Sequence, residues 1–194
     1  MNQVLWYATR GAGVVTLIML TGVVVLGIVT TVRWQTESWP RFLSAELHRN
    51  LALLSLVFLG IHIVTAVIDP FTSLGWLAVA IPFSSPYRRL WLGLGVVAFD
   101  LMLALVATSL LRHVLGHRAW RSVHWLAYAA WPIALLHGVG TGTDTLSTWM
   151  LAIDAICVGA VGFAILWRLW FAWTVGGIRW TAQSPTADRR RWPE

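Results

Sequence analysis

The chain contains 194 residues, of which 58% are hydrophobic and only 11% are charged, and its formal net charge is +6. This composition excludes an ordinary soluble domain and indicates a membrane protein. The positive charge comes entirely from arginines that lie between apolar runs, so it favours membrane topology over nucleic-acid binding. The single cysteine, Cys157, excludes an intrachain disulfide and a cysteine-ligated iron–sulfur cluster.

Apolar windows of about 20 residues predict five transmembrane helices. They cover residues 11–32, 50–68, 90–111, 123–139 and 146–167. Residues 70–87 hold only a short apolar stretch bracketed by prolines, which predicts an interfacial or re-entrant segment and not a sixth crossing. The predicted fold is an all-α, polytopic helical membrane bundle over residues 1–174. A basic cytoplasmic tail, 175–194, is expected to follow it and to be disordered.

The arginines predict the orientation of these helices. Arg10, Arg88 and Arg89 fall on one side of the membrane. The other side receives Arg33, Arg41, Arg49, Arg112, Arg118, Arg121, Arg168, Arg179, Arg189, Arg190 and Arg191. Because arginine-rich loops stay in the cytoplasm, the N-terminus is expected outside the plasma membrane and the C-terminus inside the cell. The second and fourth helices then run in the same direction.

Each of these two parallel helices carries a pair of histidines. His48 and His124 are expected at the cytoplasmic level, and His62 and His137 at the outer level. An imidazole inside a membrane is costly unless it is used, and two imidazoles that face each other across a flat gap suit a six-coordinate haem iron. The alternative is that these histidines only bond neighbouring backbone, or serve a proton path in a haem-free transporter.

The spacing within each helix has different consequences. His48 and His62 are 14 residues apart, close to four helical turns, so they share one face. His124 and His137 are 13 residues apart, which leaves them roughly 140° apart around an ideal helix. Pro132 lies between them, and the kink that a proline introduces can re-aim one half of the helix.

These residues resemble a known family, the ferric-reductase-like transmembrane cytochromes b. It includes ferric reductases, NADPH oxidases and the haem-binding membrane subunit of bacterial periplasmic methionine-sulfoxide reductase. The resemblance rests on the histidine spacings, on L-G-H-R-A-W-R-S-V-H-W-L-A-Y at 115–128 and on I-P-F-S-S-P-Y-R-R-L-W at 81–91, and it covers roughly residues 10–173. It implies an inner haem b on His48 and His124 and an outer haem b on His62 and His137. It also implies electron flow from the cytoplasm to the exterior.

Larger members of that family carry a further N-terminal helix and a cytoplasmic flavin/NADPH domain. This chain is expected to lack both and to receive its electrons from a separate cytoplasmic flavin reductase or similar donor. It would then be an oxidoreductase component, with no catalytic residue of its own, that reduces an extracytoplasmic acceptor such as ferric iron. The alternatives are a membrane subunit that donates electrons to a periplasmic reductase and, less favoured, a haem-free transporter.

Several arginines are candidates for holding haem propionates. Arg49, Arg118 and Arg121, together with Arg33, lie at the inner level, although ordinary membrane topology explains each of them equally well. The weaker candidates at the outer level are Arg88, Arg89, Thr141 and Thr143.

The second ring nitrogen of each histidine also needs a partner. Tyr128, Ser55 and backbone carbonyls are the candidates. Asp100 and Asp154 are either linked to protons during haem reduction or hydrogen-bonded between helices. Glycines in the spans are expected to allow close packing of helices or haem, and they include Gly13, Gly22, Gly27, Gly60, Gly93, Gly95 and Gly162.

Overall fold

The computed structural model describes residues 3–32, 40–70, 72 and 74–182. Within these residues it contains helices, turns and no strand, which confirms the predicted all-α fold. The helices are α1 (Gln3–Val32), α2 (Arg41–Ile68), α3 (Leu77–Ala80), α4 (Arg89–Leu110), α5 (Arg112–His124), α6 (Ala127–Thr141) and α7 (Thr148–Ala182).

Four helices in the described part of the chain, α1, α2, α4 and α7, are long and apolar enough to cross a membrane. The predicted span 123–139 is instead divided between α5 and α6, with a break at residues 125–126. α6 has 15 residues, or about 22 Å of helix, against about 30 Å for the hydrocarbon core of a bilayer. The described residues therefore form the predicted helical membrane bundle, with four long helices and the shorter α6 in place of the predicted span 123–139.

The described residues between α2 and α4 contain only one short helix, α3. Its four residues rise by about 6 Å, far less than a crossing requires. Phe83 and Arg88 have positive φ angles of 62° and 40°, which turn the chain just before α4. These observations agree with the predicted interfacial or re-entrant segment.

The buried core cluster of the described residues draws on four helices, α1, α4, α6 and α7. α1 packs along α2, α4 packs against α6, and α1 also contacts α6 and α7. Trp131 of α6 donates its Nε1–H to Thr21 Oγ1 of α1 at 3.0 Å, so the polar edge of this buried ring is satisfied. Large apolar side chains such as Phe163 and Leu166 stay exposed on α7, as expected for a surface that contacts lipid. The buried core cluster contains Leu17, Leu20, Met102, Trp131, Cys157 and Val161.

Helix α7 continues to Ala182, into the segment for which a disordered tail was predicted from residue 175. The helix thus passes the predicted domain boundary at residue 174. A helix that has already formed gains one hydrogen bond for each residue added, and no proline interrupts the chain before residue 185. The rest of the predicted tail, 183–194, lies outside the described residues.

Candidate functional site

The structure brings the four histidines of the spans together as two pairs. The ring centroids of His48 and His124 are 6.2 Å apart, with an angle of 64° between the ring planes. The centroids of His62 and His137 are 6.1 Å apart, with an interplanar angle of 83°. The two pairs thus share nearly the same separation, and in both pairs the rings are strongly rotated relative to each other.

In three of the four histidines the Nδ1–H donates to a backbone carbonyl of a neighbouring helix. Because a carbonyl can only accept, Nδ1 carries the proton in each neutral ring and Nε2 carries the lone pair. Of the candidate partners, backbone carbonyls therefore fill this role, while Tyr128 bonds Arg168 and Ser55 bonds the Ala52 carbonyl. The pairs are His48 with Val23 (2.9 Å), His62 with Thr9 (2.8 Å) and His137 with Trp91 (2.8 Å).

His124 is held in another way. Its Nδ1 is buried and has no hydrogen-bond partner within the described residues. The ring stacks on Trp120, with centroids 4.9 Å apart and planes inclined by 29°. Trp120 in turn donates its Nε1–H to Ser109 Oγ at 3.1 Å. The orientation of His124 thus depends on an aromatic neighbour from its own helix.

The break between α5 and α6 helps to explain how histidines 13 residues apart reach one side of the bundle. The amides of residues 126, 128 and 129 each donate to the carbonyl three residues earlier. A residue in such a 3₁₀ turn advances about 120° around the axis, in place of about 100° in an α-helix. The tightened turns therefore reduce the azimuthal gap between His124 and His137. They lie before Pro132, the position at which a re-aiming kink was expected.

A glycine lies against each carbonyl-bonded ring. A Cβ atom added at Gly13 would lie 2.9 Å from His62 Nδ1, and one at Gly95 would lie 2.5 Å from His137 Nδ1. At Gly27 the nearest ring atom, Cε1 of His48, would be 3.3 Å away. These rings approach the helix backbone so closely that a side chain would displace or press on them.

The outer pair faces a cavity of about 250 Å³ whose lining includes His62 and His137. Arg10 lines the same cavity and forms an ion pair with Asp144 at 2.6 Å. The Arg10 Nε is buried and has no hydrogen-bond partner within the described residues. Sequence reasoning used Arg10 only to assign topology. The missed signal was that a charged side chain inside a long apolar helix is costly and therefore indicates function.

The other arginine candidates lie elsewhere. Arg49, Arg118 and Arg121 are exposed, and none of them forms an ion pair within the described part of the chain. At the outer end, Arg88 donates to the Gly140 carbonyl at 2.7 Å and Arg89 to the Phe83 carbonyl at 2.6 Å. Arg33 lies outside the described residues.

The acidic and metal-ligating residues do not form a further centre. Among the described residues, no group of three or more His, Cys, Asp or Glu side chains is arranged to hold a metal ion. Both carboxylate oxygens of Asp154 on α7 are buried without a hydrogen-bond partner in the described part of the chain.

A family model described as the ferric reductase like transmembrane component matches residues 12–135. The match contains His48, His62 and His124, and it ends two residues before His137. No curated protein and no solved structure matched the chain. Because the family model covers well over half of the sequence, this protein belongs to the ferric-reductase-like transmembrane family.

Proposed function

We propose that this protein is a transmembrane electron-transfer cytochrome with two haems b. His48 and His124 would hold the inner haem, and His62 and His137 the outer one. Membership of the family indicates transmembrane electron transfer in general terms. The observation that carries the finer proposal is the separation of the rings in the two histidine pairs.

The ring separations fit one iron atom between each pair of imidazoles. A bond from a metal to an imidazole nitrogen is about 2.0 Å long, and the ring centroid lies about 1.1 Å behind that nitrogen. Two imidazoles on opposite sides of one iron therefore have centroids about 6.2 Å apart. The observed values are 6.2 Å and 6.1 Å. The Nδ1–H bonds of three rings leave Nε2 as the ligand atom, as is usual for metal-bound histidines.

The surroundings of the outer pair also fit a haem. The cavity beside His62 and His137 is lined mainly by apolar residues of α1, α2, α4 and α6, which suits a flat hydrophobic ring. Arg10 contributes a guanidinium whose buried Nε–H has no partner among the described residues, a suitable donor for a propionate carboxylate. At the inner pair, the proposed propionate partners remain Arg49, Arg118 and Arg121.

The four histidines define what the site can do. Haem iron supplies reversible one-electron chemistry when it is bound. Because two histidines would hold each haem iron, no coordination position would remain for a substrate, and the residues would support a relay and not chemistry at the iron. His48 and His62 are about 21 Å apart along α2, which puts the two pairs at different depths of the membrane.

We infer that the N-terminus lies outside and the C-terminus in the cytoplasm. The pairing of His48 with His124 and of His62 with His137 requires α2 and the α5–α6 segment to run in the same direction. The distribution of the arginines then favours the cytoplasm for the end that carries more of them. An additional crossing between α2 and α4 would have paired His48 with His137. A reporter fused after Glu194 should be active only in the cytoplasm, and an extracytoplasmic signal would contradict the orientation.

The proposed donor is a separate cytoplasmic flavoprotein, and the proposed acceptor is ferric iron or a periplasmic reductase. Support for the donor comes from α5, where Arg112, Arg118 and Arg121 are all exposed. A cationic surface of this kind attracts an acidic redox partner.

Electron transfer across a lipid vesicle tests the proposal. Purified protein is reconstituted into vesicles with a trapped reductant, and ferricyanide is added outside. We expect ferricyanide to be reduced much faster than with empty vesicles, and His62→Ala to remove most of this rate. His113→Ala is the matched control, because His113 is exposed on α5 outside both pairs. Wild-type vesicles that behave like empty ones, or protein without the absorption band of reduced low-spin haem b, would favour a haem-free transporter instead.

A further inference from the structure

We propose that Gly13, Gly27 and Gly95 are positioning residues for the histidines of the two haem sites. Each glycine allows the carbonyl four residues earlier to accept the Nδ1–H of one histidine, which fixes both the proton on that ring and the direction of its plane. This inference rests on the proposed function, since it assigns a role toward the two haems.

The same spacing occurs at all three places. In each case the accepting carbonyl belongs to residue i and the glycine against the ring is residue i+4. We call each such pair of residues a histidine seat. The three histidine seats are Thr9 with Gly13, Val23 with Gly27, and Trp91 with Gly95.

Helix geometry explains why the glycine is needed. The carbonyl of residue i already accepts the amide of residue i+4, and only its second lone pair remains for an imidazole. Every Cα–Cβ bond of a helix is tilted toward the N-terminus, so a side chain at i+4 covers that carbonyl. Removing the Cβ opens a path to the lone pair. A ring at hydrogen-bond distance then lies directly over the glycine, as observed.

The seats on α1 also match the register of the histidines on α2. Gly13 and Gly27 are 14 residues apart, and so are His62 and His48. Gly13 faces His62 and Gly27 faces His48, so the two helices run antiparallel with the same repeat. Four turns separate the members of each set, which keeps both seats on one face of α1.

The fourth position departs from this repeat. On α4, the residue 14 positions after Gly95 is Ser109 and not a glycine. The Ser109 hydroxyl accepts the Trp120 Nε1–H, and Trp120 stacks on His124. His124 is also the histidine of the two pairs whose Nδ1 has no partner in the described part of the chain. At the position of a fourth histidine seat, the Ser109 hydroxyl, the Trp120 indole and the His124 imidazole thus form a chain of contacts.

Replacing a seat glycine by alanine should disturb one histidine selectively. When its Nδ1–H donates a hydrogen bond, an imidazole becomes a stronger electron donor to iron, so losing that bond should raise the reduction potential of the haem. The Cβ distances predict the order of the effect. Gly95→Ala (2.5 Å) should exceed Gly13→Ala (2.9 Å), and Gly27→Ala (3.3 Å) should be mildest.

The experiment compares the three seat variants with Gly11→Ala in the purified holoprotein. Gly11 is two residues from Gly13 on α1, and a Cβ there would meet no atom within 4 Å. Electron paramagnetic resonance of the oxidised protein is the main readout, because the largest g value of a low-spin ferric haem depends on the angle between its two imidazole planes. A redox titration gives the potential of each haem.

We expect Gly95→Ala and Gly13→Ala to shift or abolish the outer-haem signal and to leave the inner one unchanged. Gly27→Ala should shift only the inner signal, and Gly11→Ala should shift neither. Seat variants with wild-type signals and potentials, or a Gly11→Ala variant that changes as they do, would overturn the inference. If Gly95→Ala or Gly13→Ala loses both haems, folding has failed, and the milder Gly27→Ala decides. A wild-type protein without haem signals would refute the proposed function itself, which is a separate outcome.

Discussion

At the outer histidine pair, both His62 and His137 donate from Nδ1 to helix carbonyls, whereas at the inner pair only His48 does so. The outer pair also borders a cavity whose lining includes the partly buried Arg10. The inner pair depends on Trp120, which belongs to α5, a helix with no buried residue. The two pairs therefore have nearly the same separation between their rings, but two kinds of support hold those rings. Carbonyl hydrogen bonds hold both outer rings, whereas the inner rings are held by one carbonyl hydrogen bond and one aromatic stack.

This difference indicates how the two histidine pairs of one chain can serve different purposes. Hydrogen bonds to helix carbonyls orient both rings of the outer pair, which lies far from the proposed donor. At the inner pair, His124 stacks on Trp120 near exposed cationic side chains, where electrons are proposed to enter. The changes below separate the two kinds of support, starting with the largest expected effect.

Removal of the Arg10 charge should affect the outer site most. Arg10→Gln leaves Asp144 without its cation in a poorly solvated place, which should cost about 1–3 kcal/mol of unfolding free energy. It should also weaken retention of the outer haem and leave the inner one in place. Chemical unfolding in detergent and the haem spectrum measure the two effects.

The double variant Arg10→Gln, Asp144→Asn controls for the stranded carboxylate. It should recover part of the stability but not the retention of the outer haem. Equal loss of both haems in Arg10→Gln would show that Arg10 has no special relation to the outer pair.

Removal of the Trp120 ring should affect only the inner site. An aromatic contact of this kind contributes about 0.5–1.5 kcal/mol, so Trp120→Leu should weaken inner-haem binding about twofold to tenfold. Haem titration of the apoprotein measures this change. Ser109→Ala removes the hydrogen bond and keeps the ring, and its effect should be smaller. An outer haem that weakens as much as the inner one would contradict the division between the pairs.

Neutralising the exposed arginines of α5 should change a rate without changing haem content. In Arg118→Gln, Arg121→Gln, reduction by a cytoplasmic flavin reductase should slow a few-fold at low salt. The difference should shrink as the Debye length falls to about 8 Å at physiological ionic strength. Stopped-flow absorbance across a salt series is the measurement. Rates that respond to neither salt nor these substitutions would exclude electrostatic docking at this surface.

Much of the fold and the grouping of the histidines could be predicted from sequence. The length of the apolar runs identifies the long helices. Histidine is rare within such runs, so the spacing between the histidines can be counted directly. The break between α5 and α6 could not be predicted, since no proline or glycine marks residues 125–126. The break is defined by backbone hydrogen bonds to the carbonyl three residues earlier, and many different sequences can form such bonds.

The supporting contacts were harder to predict than the histidines themselves. Every residue has a backbone carbonyl, so the residue types of Thr9, Val23 and Trp91 do not identify them as hydrogen-bond acceptors for a histidine. The repeat of 14 residues shared by the α1 glycines and the α2 histidines was the available signal. Arg10 was taken for a flanking charge because the predicted helix began at residue 11, whereas α1 begins at Gln3. Helix ends are the least certain part of such predictions.

The number of haems bound per chain tests the central claim most directly. A pyridine haemochrome assay against protein concentration should give about two haems for the wild type and about one for His62→Ala or His137→Ala, since each variant removes one of the two histidines proposed to hold the outer haem. His113→Ala should keep the wild-type ratio. A wild-type ratio near one that does not fall in His62→Ala or His137→Ala would contradict the outer site, and a ratio near zero would contradict both sites.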